Sequence, residues 1–79
     1  MDNQLNNYIF GSLVGLIPTK DIKNISDEIY QQTKKIKSVY DIEKIIKGIL
    51  VSTVDETKES QAVRLSKDIS QFIIRINLN

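Results

Sequence analysis

From Ala62 to Ile76 the apolar residues Ala62, Leu65, Ile69, Phe72 and Ile76 recur at alternating steps of three and four. That spacing lines one face of an α-helix, and such a stripe is stable only when another surface covers it. Three earlier segments carry related signatures. Pro18 cannot extend a helix and biases Ile17 away from α geometry, which sets a first helix from about Asn3 to Leu16. Thr19 is placed to cap a second, Lys20 to about Ile36, with Ile22, Ile25, Ile29, Thr33 and Ile36 on one face. Ser38 and Asp41 have the spacing of a capping box, with Asp in place of Glu or Gln. They open a third helix whose face is Ile42, Ile45, Ile46 and Ile49, with Thr53 at its end. Thr53 and Glu56 repeat the cap signal and mark a break before a last helix, from about Asp55 to Arg75. Glu43 and Lys47 form an i,i+4 pair in the favourable order, and Arg64 with Asp68 forms another on the outer side of the last helix.

Two stretches carry a competing pattern. Gly48 to Val54 is rich in strand-favouring residues, and Phe72, Ile74, Ile76 and Leu78 alternate with period two. The tail after Ile73 therefore reads either as helix or as a short strand. The expected fold is all-α, a small bundle or hairpin of three to four helices in a single domain, 1–79. The alternative is α+β with a short C-terminal strand.

Composition sharpens this picture. The chain has 79 residues, and a single core of that size rarely supplies more than about 3–5 kcal/mol of net stability. It contains no Cys and no His, which removes disulfides and makes a structural zinc site unexpected. No metal or cofactor is expected, and a protein partner or a second copy of the chain is the natural supplement. A net charge of +1 predicts no strong pull toward nucleic acid or anionic lipid. Asn3 to Thr19 carries no charge, and Tyr8 to Ile17 is nearly all apolar, yet a membrane span needs about 20 such residues. The segment reads as a core-facing helix, with an interface or membrane-surface contact as its other use. Gly11 and Gly15, four apart, would let another backbone approach. Asp2 is the only charge before Lys20, so the basic start of a secretory signal is missing. The expected location is cytoplasmic by default, and extracellular only through a dedicated secretion system.

Candidate chemistry is sparse. Asp27-Glu28, Asp41 with Glu43, and Asp55-Glu56 are the carboxylate clusters, but neighbours on a helix diverge and make no ready acid/base pair. No Gly-rich phosphate loop, nucleophile elbow or calcium-loop pattern occurs. An enzyme is not expected. Lys34, Lys35 and Lys37, with Lys44 and Lys47, straddle the turn between the second and third helices, where a helix-turn-helix reader contacts phosphates. The same region, Thr19 to Ser52, nets only +2, and the following helix offers no Arg, Asn or Gln for base edges. These lysines are the candidate contacts of an alternative reading, a small DNA-binding regulator.

The last helix also supports a comparison. Glu59-Ser60, Val63-Arg64, Lys67-Asp68-Ile69 and Ile73-Ile74 resemble the C-terminal end of type III secretion needle subunits. The resemblance implies a helical hairpin that polymerises through its C-terminal helix, with Lys67, Asp68, Ile69 and Ile73 at the packing surface. The residues themselves point to association as well, because Ile73 and Ile74 widen the last stripe beyond a single seam. The candidate association surface is Leu65, Lys67, Asp68, Ile69, Phe72, Ile73 and Ile76. On this reading Ile73→Asp breaks association, and Ser66→Asp on the presumed outer side leaves it intact. The expected function is non-enzymatic protein–protein association, as a self-assembling subunit or a small inhibitor or immunity-type binder.

Overall fold

A computed structural model describes residues 3–78, and Asp2 lies outside the described residues. Four helices succeed one another: α1 (Asn3–Leu13), α2 (Thr19–Thr33), α3 (Val39–Thr53) and α4 (Glu59–Leu78), the last preceded by a single 3₁₀ turn, Glu56–Lys58. The fold is all-α, and among the described residues no strand forms. The tail after Ile73 continues α4 through Leu78, so the short C-terminal strand is corrected to helix. Its period-two letters lose because Ile73 packs into the core and Ile74 and Ile76 pack against it, which only the helical repeat allows. The strand-favouring Gly48–Val54 segment likewise forms the last turns of α3, with Val54 as its C-cap, because helix buries Ile49 and Leu50 together.

The chain's punctuation differs from expectation in several places, the last helix among them, which begins at Glu59 rather than near Asp55. α1 stops at Leu13 rather than Leu16, because Gly15 adopts φ 88°, a left-handed geometry that ends the helix. The amides of Leu16 and Ile17 then donate to the Leu13 carbonyl at 3.0 and 3.1 Å, and both side chains turn into the core. The position before α2 is Pro18, with no side-chain cap bond, so Thr19 is the first helical residue instead of the cap. α2 ends at Thr33, leaving Ile36 in the connection, half-buried. Ser38 does cap α3, its hydroxyl accepting from the Asp41 amide at 3.4 Å. Thr53 belongs to the end of α3, donating to the Ile49 carbonyl at 2.7 Å, and Asp55 stands before the 3₁₀ turn.

Each helix packs on its neighbour in sequence, and α1 closes the ring against α4. The α3–α4 pair makes the most extensive contact, so the molecule is a helical hairpin to which α1 and α2 are added. α4 at 20 residues is about 30 Å long, which accounts for most of the 35 Å long axis. The core joins Leu5, Ile9 and Leu13 of α1, Leu16 and Ile17 of the turn, Ile22 and Ile29 of α2, Ile42, Ile46, Ile49 and Leu50 of α3, and Ala62, Ile69 and Ile73 of α4. Tyr8 of α1 stacks on Phe72 of α4 with ring centroids 4.0 Å apart and planes 5° from parallel. A second tie links distant segments: the Lys58 ammonium donates to the Gly15 carbonyl at 3.3 Å.

Candidate interaction surfaces

The face that α4 buries is turned from the one its apolar letters mark. Ala62, Ser66, Ile69, Ser70 and Ile73 are buried, whereas Leu65, Phe72 and Ile76 are only half-buried. Ala62, Ser66 and Ser70 are small, and the two serine hydroxyls are satisfied within the helix. Ser66 donates to the Val63 carbonyl at 2.7 Å and Ser70 to that of Lys67 at 2.8 Å. Each then packs as a small, nearly apolar group. Ser66 is therefore not on the outer side, and Ser66→Asp is no neutral control.

This placement divides the candidate association surface. Ile69 and Ile73 lie in the protein's own core, and Leu65, Phe72 and Ile76 pack against it with part of their surface open. Lys67 and Asp68 are exposed. The surplus apolar width of α4 is largely absorbed by α3 and α1, with Tyr8 covering Phe72. Ile73→Asp would therefore report on folding before it reported on association. The two-helix hairpin implied by the needle-subunit resemblance is extended here by α1 and α2.

The five lysines of the nucleic-acid alternative, Lys34, Lys35, Lys37, Lys44 and Lys47, are all exposed. Lys34 lies 5.9 Å from the Tyr30 ring centroid and bonds Gln31 at 2.9 Å. Lys44 and Lys47 line a groove of about 630 Å³ on the outward side of α3, together with Tyr40, Glu43, Gly48, Val51, Ser52 and Glu59. Two cations and two carboxylates share that groove, so its charge is balanced.

Among the described residues every buried polar side chain is Ser or Thr, and no ionisable group is buried. No group of three or more acidic, His or Cys residues is arranged to hold a metal ion among them. One ion pair forms there, Lys23–Asp27 at 3.4 Å, while Glu43–Lys47 and Arg64–Asp68 stay open. No helix of the described residues is long and apolar enough to cross a membrane.

Sequence reasoning named Gly11 as a point of close approach but missed the exposed side chains around it and the Tyr40–Gly48 surface. Tyr40 is 75% exposed, Val14 54% and Phe10 44%. Gly11 and Gly48 sit inside helices on exposed faces, and a Cβ built on either meets nothing within 4 Å. The signal was available in the letters: a glycine in a helix interior beside or one or two turns from an aromatic. Comparison with protein-family models, with curated proteins and with solved structures finds no match in any of the three.

Proposed function

We propose that this protein acts by contact with another protein, or with its own copy, and carries out no chemistry of its own. One observation, seen twice, carries the reading. Gly11 adjoins the exposed Phe10, and Gly48 shares a groove with the exposed Tyr40. A helix-interior glycine destabilises its helix, and neither has an intramolecular neighbour that needs the space. A glycine that the fold does not require makes sense where a second surface comes close. Tyrosine and its like are also the side chains that dominate protein interfaces. The favoured forms remain a self-assembling subunit, with the needle-like version as one case, and a small inhibitor or immunity-type binder.

The nucleic-acid reading keeps one supporting observation, the exposed Lys44 and Lys47 beside Tyr40. A single set of measurements separates the two. The solution mass of the chain is determined alone and with duplex DNA at physiological salt, and an immobilised chain is used to capture protein from its source. Self-association, or a captured protein released by Phe10→Asp or Tyr40→Asp, supports contact between proteins. Sub-micromolar DNA binding that weakens when Lys34, Lys35, Lys44 and Lys47 become Ala overturns it, since non-specific binding sits near about 10⁻⁴–10⁻⁶ M.

A further inference from the structure

Resting on the reading of this protein as one that works by contact, we infer that copies of the chain join head to tail. The outward ridge of α4 in one copy lies across α3 of the next, in a trough whose charges mirror it.

The trough comes from a glycine. Two hollows of about 630 and 390 Å³ flank α3, one toward the start of α4 and the other toward α2. They share Lys44, Gly48 and Ser52, each one turn from the next along the crest of α3 that divides them. Gly48 is the notch in that crest. It is exposed, and a Cβ built on it meets nothing within 4 Å. The fold has no use for the space, but without a side chain there the two hollows run into one another. Charge is ordered across them. Glu28 of α2 lines only the α2 hollow, Lys44 lines both, and Glu59 of α4 lines only the other. Glu43 and Lys47, on the α4 side and one turn apart on α3, offset each other. The trough therefore runs acid, base, acid, with three carboxylates against two ammonium groups.

α4 carries the reverse order. Arg64, Asp68, Gln71 and Arg75 are all exposed, and steps of four, three and four set them in one line down the helix. This ridge runs base, acid, base. Among the described residues the one ion pair is Lys23–Asp27, so the charges of ridge and trough have no such partner in their own chain. Their dimensions agree as well. Arg64 and Arg75 are eleven residues apart, about 16 Å along the helix. Packed helices lie roughly 8–10 Å apart, so the crossing from α2 over α3 to α4 is about 16–20 Å. A ridge seated over Gly48 brings each arginine to a carboxylate at one end and Asp68 to Lys44. A phosphate backbone or anionic headgroup would face an excess of carboxylates there, and a partner of one charge sign would leave like charges opposed. Ridge and trough are different patches, so the contact is heterologous and leaves one of each open on every pair.

The test is sedimentation equilibrium of the full chain from about 10 μM to about 1 mM, at about 0.05 M and 0.5 M salt, beside thermal unfolding of each variant. At low salt the parent should associate with a mass that rises past two chains. High salt should weaken that association about tenfold while the melting temperature hardly moves. Gly48→Leu, which fills the notch with a better helix former, should melt higher and associate at least about tenfold more weakly. Arg64→Glu combined with Arg75→Glu should stay folded and lose association to a similar degree. Each of these two proteins keeps one intact surface, so an equal mixture should recover association and stop at two chains. Phe10→Asp, on the far-from-trough α1 face, should associate like the parent. A parent that remains monomeric at the top concentration and low salt overturns the inference and leaves the contact reading to the capture experiment. Association that stops at two chains, ignores salt, survives Gly48→Leu, is lost in Phe10→Asp or fails to return on mixing also overturns it, while leaving the contact reading in place.

Discussion

Ser26 is the one buried side-chain hydroxyl that finds no partner among the described residues. Its neighbours in kind, Thr33, Ser66 and Ser70, each bond a carbonyl of their own helix. An unpaired buried hydroxyl costs about 1–3 kcal/mol, so Ser26→Ala should leave stability unchanged or raise it by up to about 1 kcal/mol. Urea unfolding reads this as a higher midpoint with an unchanged slope, and a clear loss would mean the hydroxyl has a partner in solution. Ser66→Asp is the opposite case. A carboxylate forced into this fully buried position should cost several kcal/mol and unfold a chain this small. Gly15→Ala should lose about 1–2 kcal/mol, because the left-handed backbone disfavours any Cβ even where space is open. Residues of this kind are where the sequence is hardest to read. Ser66 and Ser70 look polar in the letters, yet their hydroxyls are spent on the helix that carries them. A polar letter predicts exposure only when its hydrogen bonds must be found outside its own turn.

Helix number and kind were legible because they depend on redundant signals. α2 and α3 show apolar spacing along a whole face, and Ser38 adds a cap that the structure retains. The direction of a face was less legible. In α4, Ile69 and Ala62 were correctly core, while Leu65 and Phe72 lie on the flank and Ile73 is central. The stripe is set by which side of the helix accepts a close neighbour, and that depends on α3 as much as on α4. End positions were also weak, since Gly15 rather than Pro18 stops α1. At this scale Gly48→Ala is informative. With nothing near its Cβ, alanine should stabilise α3 by about 0.5–1 kcal/mol. A rise of a few degrees in melting temperature is the expected result, and a fall would show that the space is already filled.

The whole molecule is held by apolar packing and owes little to surface charge. Among the described residues the one ion pair, the exposed Lys23–Asp27, is worth at most a few tenths of a kcal/mol. The melting temperature should therefore move little when salt is raised from about 0.01 M to 0.1 M, although the Debye length shrinks from about 30 Å to 10 Å. Cohesion is uneven. The α3–α4 hairpin is the most extensive contact, while α1 is held by its seam with α2 and by α4. Amides of α1 should exchange with solvent sooner than those of α3 and α4 at the same pH and temperature. Uniform exchange would show that the four helices open as one. The candidate surfaces obey the same division. Phe10 and Gly11 lie on the outer side of the more loosely held α1, where burial separates the glycine the fold uses, Gly15, from the one it does not.

The parallel stack of Tyr8 on Phe72 gives the chain a built-in spectroscopic probe. Each ring lies in the shielding cone of the other, so the ring protons of Tyr8 should resonate upfield of those of Tyr40, which stands exposed. The two rings come from opposite ends of the chain, so the shift exists only while those ends are together. Because the sequence has no Trp, the aromatic region of a proton spectrum is sparse enough to track that signal directly. Its loss on warming, ahead of the helical signal, would time the release of the N-terminal helix without any label.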